Sequence, residues 1–522
     1  MAVAWTSAHA RGRLSRRGFL LGAGAAAFAP LVAAPGLAAA PLAGAKIAIV
    51  GAGIAGLTAA RVLADRGITA TVFEAQHRIG GRMHSETALW ANGQVSEYGG
   101  ELIDSDHTTI RALVKRFDLK LADVLADEGT RQQTIFVNDA YYPERRLFEE
   151  FRPVERILAE QVAAAGPITT YAHSTAAGRV FDAMSLSEWI RRYVPDGPNS
   201  NLGKFIELQY VAEYGLEADV QSSLNMIYWL GRQPQYNERT GEFVALGPSD
   251  ERYHIVGGND RLPRAIAASL PQGTVRLGER LEAIARRPDG TVALTLTNAQ
   301  GTRTESFDKA IITVPFIVLR HIDTTRAGFD ELKRIAIEKL AYGDHSKLIL
   351  QFDERYWREP GPWPGISSGD LTYDGPFVQT WEATRGQPGR TGLLVDFAAA
   401  RGSAALASTA AYTTSATPQT SGYAHTFAAQ LERVWPGAQK HFTGKATLSH
   451  LTSDPFARGS YSGWLRGQYT LFAGYERVRQ GNVLFAGEHC SVLLQGFMEG
   501  AAREGARAAR DVLHDLGVAV TT

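Results

Sequence analysis

The chain has a single cysteine, Cys490, in 522 residues, so it can form no disulfide within itself. It has no excess of charge, because 54 Lys and Arg are matched by 54 Asp and Glu. That balance argues against nucleic acid or an anionic surface as a partner. A long apolar run is also missing. The stretch from Leu20 to about Ala34 is weakly apolar, short and rich in Ala and Gly, which argues against a stable membrane anchor. No internal repeat is visible, and no ligand spacing points to a metal. What remains is an ordinary globular composition, 45% hydrophobic and 21% charged. The chain is too long for one core, so two domains are expected.

The N-terminus reads as an address. Ser15-Arg16-Arg17-Gly18-Phe19-Leu20 is a twin-arginine pattern, followed by the weakly apolar run and small residues up to Ala45. Residues 1–45 are therefore expected to be a signal peptide, cleaved after Ala38, Ala40 or Ala45, with a periplasmic or secreted product. The twin-arginine route carries folded proteins. It suits an enzyme loaded with a cofactor in the cytoplasm.

The apolar run Lys46-Ile47-Ala48-Ile49-Val50 leads into Gly51-Ala-Gly53-Ile-Ala55-Gly56, a helix-prone stretch, and a second apolar run ending Val72-Phe73-Glu74-Ala75. This is a strand–turn–helix–strand dinucleotide site. Gly51 permits the tight turn, Gly53 lets backbone approach a pyrophosphate, and Gly56 lets helix and strand pack closely. The helix start offers free N–H groups and a positive dipole end. Glu74 lies 21 residues after Gly53 (74 − 53), near the usual ribose-binding spacing of about 20. Then comes Arg78-Ile-Gly80-Gly81-Arg82, where two glycines allow a second close approach and two arginines can face phosphate or an anionic reduced flavin. That addition favours FAD over NAD.

Together these segments resemble the opening of the flavin amine oxidase family, which includes monoamine, polyamine and L-amino-acid oxidases. The family usually has an Arg and an Asp where this chain has Gln76 and His77. The resemblance spans roughly residues 46–515. It implies an α/β fold: a discontinuous Rossmann-like FAD domain (46–104, 252–322, 454–522) and a mixed α+β substrate domain (105–251, 323–453). A Gly-Gly segment, Gly257-Gly258, marks re-entry into the FAD domain, and Val275 is a candidate adenine neighbour. The C-terminal motif has a strand at 482–486, then Gly487-Glu488 and a helix from about 496 to 513. The resemblance puts Glu488 near the ribityl or pyrophosphate region and the Met498 backbone near the flavin. Gly99 and Gly100 form a further conserved-looking pair after the ribose segment.

Periodicity predicts helices at 109–117, 149–165 and 185–193, with a Pro/Gly/Asn-rich break at 195–201. It predicts strands at 274–277, 291–297, 309–314 and 347–352. The Ala/Ser/Thr-rich stretch 404–421 reads as a loop with a frayed helix and no function.

The resemblance also assigns chemistry. Lys347 falls where the family places a lysine that holds a water against flavin N5 and assists reoxidation through its charge. Tyr461 and Phe497 match an aromatic cage that flanks the substrate nitrogen. The hydride donor must be a neutral amine. At a pKa near that of lysine, about 10.4, roughly one molecule in 2,500 is neutral at pH 7, a deficit of about 4.6 kcal/mol. An apolar slot lowers that pKa. A site poor in carboxylates and an activity rising toward alkaline pH are therefore expected. Ser460 stands where monoamine oxidases carry the flavin-linked cysteine, so FAD is expected to be non-covalent. L-amino-acid oxidases often carry an arginine after the glycine pair, where this chain has Glu101-Leu-Ile-Asp104. Glu101 and Asp104 are candidate substrate contacts, Asp104 more readily a loop carboxylate. The reading is an amine oxidase that makes imine or aldehyde and reduces O2 to peroxide. The alternatives are an L-amino-acid oxidase or an amine dehydrogenase with a redox-protein acceptor. A homodimer is compatible with it.

Overall fold

The computed structural model describes residues 44–129, 131–232 and 247–519. The expected signal peptide lies almost wholly outside the described residues. A five-stranded parallel sheet is ordered Val483–Phe485, Lys309–Ile312, Ile47–Val50, Thr71–Glu74, Val275–Leu277. Its strands come from three separated stretches of chain. Ile47–Val50 is buried along its whole length, as a central parallel strand covered on both faces must be. On one face the helices Ile54–Ala64 and Met498–Asp515 cross closely enough that a Cβ at Gly505 would overlap the Ala55 carbonyl. Ala55 is thus packed at a helix crossing, with its N–H in the first turn.

A mixed eight-stranded sheet forms the second body. Its order is Tyr412–Thr414, Phe442–His450, His345–Phe352, Gly392–Ala399, Gln379–Glu382, Ser367–Tyr373, Gln132–Val137, Ala140–Tyr141. His345–Phe352 is buried throughout at its centre. Helices including Glu144–Ala165, Leu186–Tyr193 and Asn201–Tyr214 pack into their own aromatic-rich core. No described helix is long and apolar enough to cross a membrane.

The expected helices form with shifted ends. Glu144–Ala165 starts five residues early (149 − 144) and carries Pro153 in its interior. Leu186–Tyr193 begins at Ser185, which exchanges hydrogen bonds with Glu188 in a capping box. The stretch 404–421 departs from expectation. It contains the edge strand Tyr412–Thr414, paired with Phe442–His450, and the start of the helix Pro418–Leu431, capped by Thr417. Low complexity hid a strand whose first residue pairs 37 positions on, with Ser449 (449 − 412).

Candidate active site

The nucleotide end is built from backbone. Gly51 has φ +107°, and a Cβ there would strike Thr313 Oγ1. A Cβ on Gly56 would overlap the Gly51 carbonyl. Gly53 is different: its φ is −76°, and the nearest atom to an added Cβ is the Gly80 oxygen at 4.0 Å. Its open face is not needed for packing. Gly81, at φ +57°, brings the second glycine pair against it, so a Cβ there would lie 3.4 Å from Gly53 Cα. The helix beginning at Ile54 has no side-chain cap, which leaves its first-turn N–H groups free for an anion. Glu74 accepts from the N–H groups of Ala52 and Gln76, both at 2.8 Å, and burial raises its pKa. It thereby ties the second strand to the glycine turn beside half-buried Ala75. Val275 pairs with Val72 on the edge strand beside it.

The other end is built from side chains. Tyr461 stacks on His345 at 4.9 Å, and His345 on Phe397 at 4.6 Å. Burial lowers the His345 pKa to about 4, so the ring is neutral. Its Nε2 donates to Ala212 O at 2.7 Å, leaving Nδ1 to accept from Ser460 Oγ at 2.5 Å. Tyr461 OH donates to the Glu213 carbonyl. Opposite, Phe497 stacks on Trp229 at 5.7 Å and meets the His107 edge at 5.3 Å. Glu213 and Trp229 share the wall of a cavity of about 60 Å³ with Tyr210 and Phe205. One wall therefore touches both aromatic pairs.

Lys347 lies at the junction of the two ends. Its Nζ donates to Gly99 O at 3.0 Å, Glu97 O at 3.2 Å and Glu101 Oε2 at 2.6 Å. Trp381 lies under the ammonium, 5.1 Å to the ring centroid, and its Nε1 donates to the other Glu101 oxygen at 2.9 Å. The next glycine, Gly100, packs on Met498, whose Sδ would lie 2.9 Å from an added Cβ. A Cβ on Gly99 would overlap Arg82 O. Both glycines thus press the Lys347 loop against Arg82 and the start of the last helix. That helix, too, lacks a side-chain cap at Phe497. Its Glu499 turns away to accept from Thr109 and Ile110 N–H.

The chain matches the model of the flavin containing amine oxidoreductase family over residues 54–513. It belongs to that family. It is 24% identical to a putative L-amino-acid oxidase, YobN of Bacillus subtilis, over 490 residues, which is 89% of this chain and 94% of that one. It is 29% identical to putrescine oxidase of Kocuria rosea over 253 residues, 47% of this chain and 50% of that one. In fold it is similar to cyclohexylamine oxidase of Brevibacterium oxydans, with a TM-score of 0.74, 20% identity, and coverage of 91% of this chain and 99% of that one.

As a flavin amine oxidoreductase the chain uses FAD, and its residues fit the cofactor. Open Gly53 and two uncapped helix starts provide a backbone cradle and positive dipole ends at separate points. When bound, FAD accepts a hydride from the carbon beside the amine nitrogen.

Several expected roles change. Glu488 is held by protein donors. It accepts from Arg82 Nη1 at 2.9 Å, Ser462 Oγ at 2.7 Å and Gly496 N at 2.9 Å. Arg82 spends its charge there and on Ser460 O, so the two brace each other behind the cage. Gly487, at φ +134°, abuts the His489 ring. Arg78 donates to Gly81 O at 2.8 Å and Tyr412 OH at 3.2 Å, so the supposedly functionless stretch reaches the second glycine motif. Glu101, a candidate substrate contact, takes one donor on each oxygen from the protein, Lys347 on one and Trp381 on the other. Asp104 is a loop carboxylate that accepts from Glu251 N at 2.9 Å and faces His107. Lys347 thus has three protein acceptors around its ammonium, the Glu101 carboxylate the nearest.

The site is not poor in carboxyl groups, contrary to expectation. It is poor in unbalanced carboxylate charge. Glu101 is paired, and burial pushes Glu213 up to about 8 and Glu251 to about 7. Neither Glu213 nor Glu251 sits in a motif, so nothing in the sequence pointed to them. His345 did leave a signal: it is two residues before Lys347 and shares its strand face.

Proposed function

We propose that the chain oxidises an amine carrying a second positive charge remote from the reacting nitrogen. The observation behind this is the pair Glu213 and Glu251. Glu213 is half-buried on the wall of the cavity it shares with Trp229, and Glu251 follows on a surface-reaching loop whose N–H donates to Asp104. After burial, Glu251 and then Asp104 raise the Glu213 pKa, and Asp104 is the first acid to raise that of Glu251. A ligand cation between them would draw a proton off and be held by the resulting carboxylate. The cage aromatics beside them keep the reacting amine neutral, while the distal ammonium stays charged. A carboxylate substrate would need the reverse. Three cations around the site are already paired: Lys347 with Glu101, Arg82 with Glu488, and Arg385 with Glu128 and Asp370. Putrescine oxidase, by its name, acts on a diamine, which agrees with this reading.

The test is anaerobic flavin bleaching with a diamine, the monoamine of equal chain length and L-amino acids. The diamine should show a KM at least tenfold below the monoamine, and Glu213→Gln should remove most of that gap. L-amino acids that bleach the flavin faster than every amine would overturn the proposal. We further infer export by the twin-arginine route, supported by Arg16-Arg17, and expect a mature N-terminus after Ala38, Ala40 or Ala45 on sequencing periplasmic protein. FAD is inferred to be non-covalent, since Cys490 is buried with Sγ toward Glu476 O and Ser460 bonds His345. Acid precipitation should release the yellow colour, and a yellow pellet would refute this.

A further inference from the structure

The pairing of Lys347 leads beyond the choice of amine. A bare ammonium projects a field that falls with distance, whereas an ammonium with a carboxylate 2.6 Å away projects only a dipole's field. Both side chains are buried, 7% and 8% exposed, so water does little to screen either charge or separate the pair. Burial alone would raise the Glu101 pKa, but the Lys347 charge and two N–H donors more than offset it, and the carboxyl lies below its ordinary value. The pairing thus favours the charged carboxylate. Trp381 fixes the carboxylate from its other side, so the pair cannot easily swing apart.

Oxygen takes two electrons and two protons from the reduced cofactor, which returns to its oxidised form, and leaves as hydrogen peroxide. The first electron makes oxygen an anion, and a nearby positive charge favours that step. We propose that Glu101 sets the oxygen reactivity of this enzyme by cancelling the charge of Lys347 at the flavin edge. Glu101 is then a positioning and tuning residue acting through Lys347. An uncharged quinone, taking the same two electrons and two protons to become a quinol, depends less on that charge. The inference rests on the flavin reading of the site but not on which amine is oxidised.

The experiment uses the FAD-loaded enzyme reduced with dithionite, so that no substrate is involved. Glu101→Gln keeps the shape and removes the charge. Its rate constant with oxygen should rise at least tenfold, its rate with p-benzoquinone should change less than threefold, and the flavin reduction potential should move upward. Glu101→Asp keeps the charge on a shorter arm and should give a smaller rise. It decides the matter if the Gln variant does not retain FAD. Oxygen rate constants within threefold of the unmodified enzyme in FAD-bound variants would overturn the proposal, as would equal rises with oxygen and quinone. A failed substrate panel would leave this result intact, so the two readings fall separately.

Discussion

The nucleotide end and the amine end of the site are made of different materials. At the first, the working groups are backbone N–H donors and missing Cβ atoms, clustered between Gly51 and Gly81 and joined by the start of the last helix. At the second, they are side chains from the helices Asn201–Tyr214 and Leu224–Leu230, the strands His345–Phe352, Gln379–Glu382 and Gly392–Ala399, and loops near 101, 251 and 461. A backbone site is intolerant of volume, because a single methyl group meets main chain that cannot give way. A side-chain site is intolerant of unbalanced charge, because its members are buried and must neutralise one another or stay protonated.

The sharpest break between the two ends should come from two glycines three residues apart. Gly56→Ala drives a Cβ into the Gly51 carbonyl and to 3.2 Å from Ile49 Cγ2. It should destabilise the apoprotein by about 3 kcal/mol, seen as a lower urea midpoint, with little FAD-bound protein recovered. Gly53→Ala meets nothing closer than 4.0 Å at an ordinary φ, so apoprotein stability should hold to within about 1 kcal/mol. Its methyl group would instead fill the cradle, and FAD should bind about 100-fold more weakly, roughly 2.7 kcal/mol by fluorescence titration. Equal losses of stability in the two variants would erase the distinction between a packing glycine and a binding glycine.

A smaller effect tests the charge rule behind the cage. Asp396, 4% exposed on the strand Gly392–Ala399, has an unpartnered Oδ1 among the described residues. Burial raises its pKa from 3.8 to about 8. Between those values the folded state binds a proton that the unfolded state has released. Stability from this group therefore falls as pH rises from about 4 to 8. Asp396→Asn should remove that loss. Relative to the unmodified chain it should gain about 1–2 kcal/mol in urea unfolding at pH 8 compared with pH 5. A variant whose difference from the parent does not change with pH would mean the carboxyl is compensated in the fold.

The same contrast explains what was legible. Gly51, Gly53, Gly56 and Glu74 could be read because the turn, the free helix start and the strand-end acid occupy one continuous segment. Lys347, Tyr461 and Phe497 were legible only by resemblance, and the structure brings them to one region. Glu101 was visible as an acid after a glycine pair. Its meaning was not, because its partner Lys347 lies 246 residues away. Glu213 closes a helix whose sequence carries no signature, and Trp229 acquires its role by stacking on a residue from the other end of the chain. Tyr412 was lost in a run of small residues, since an edge strand of three residues has too few positions to show alternation.

By itself the sequence determined that a nucleotide binds and where, because strand, tight turn and helix start are local consequences of residue order and of glycines that leave the backbone bare. It also settled that no internal disulfide holds the chain together. Only the tertiary structure decided which charges are spent. Whether a lysine acts on a ligand or on a neighbouring glutamate, and whether a carboxyl is ionised, depends on what distant strands and helices bring within a few ångströms and how much water they exclude.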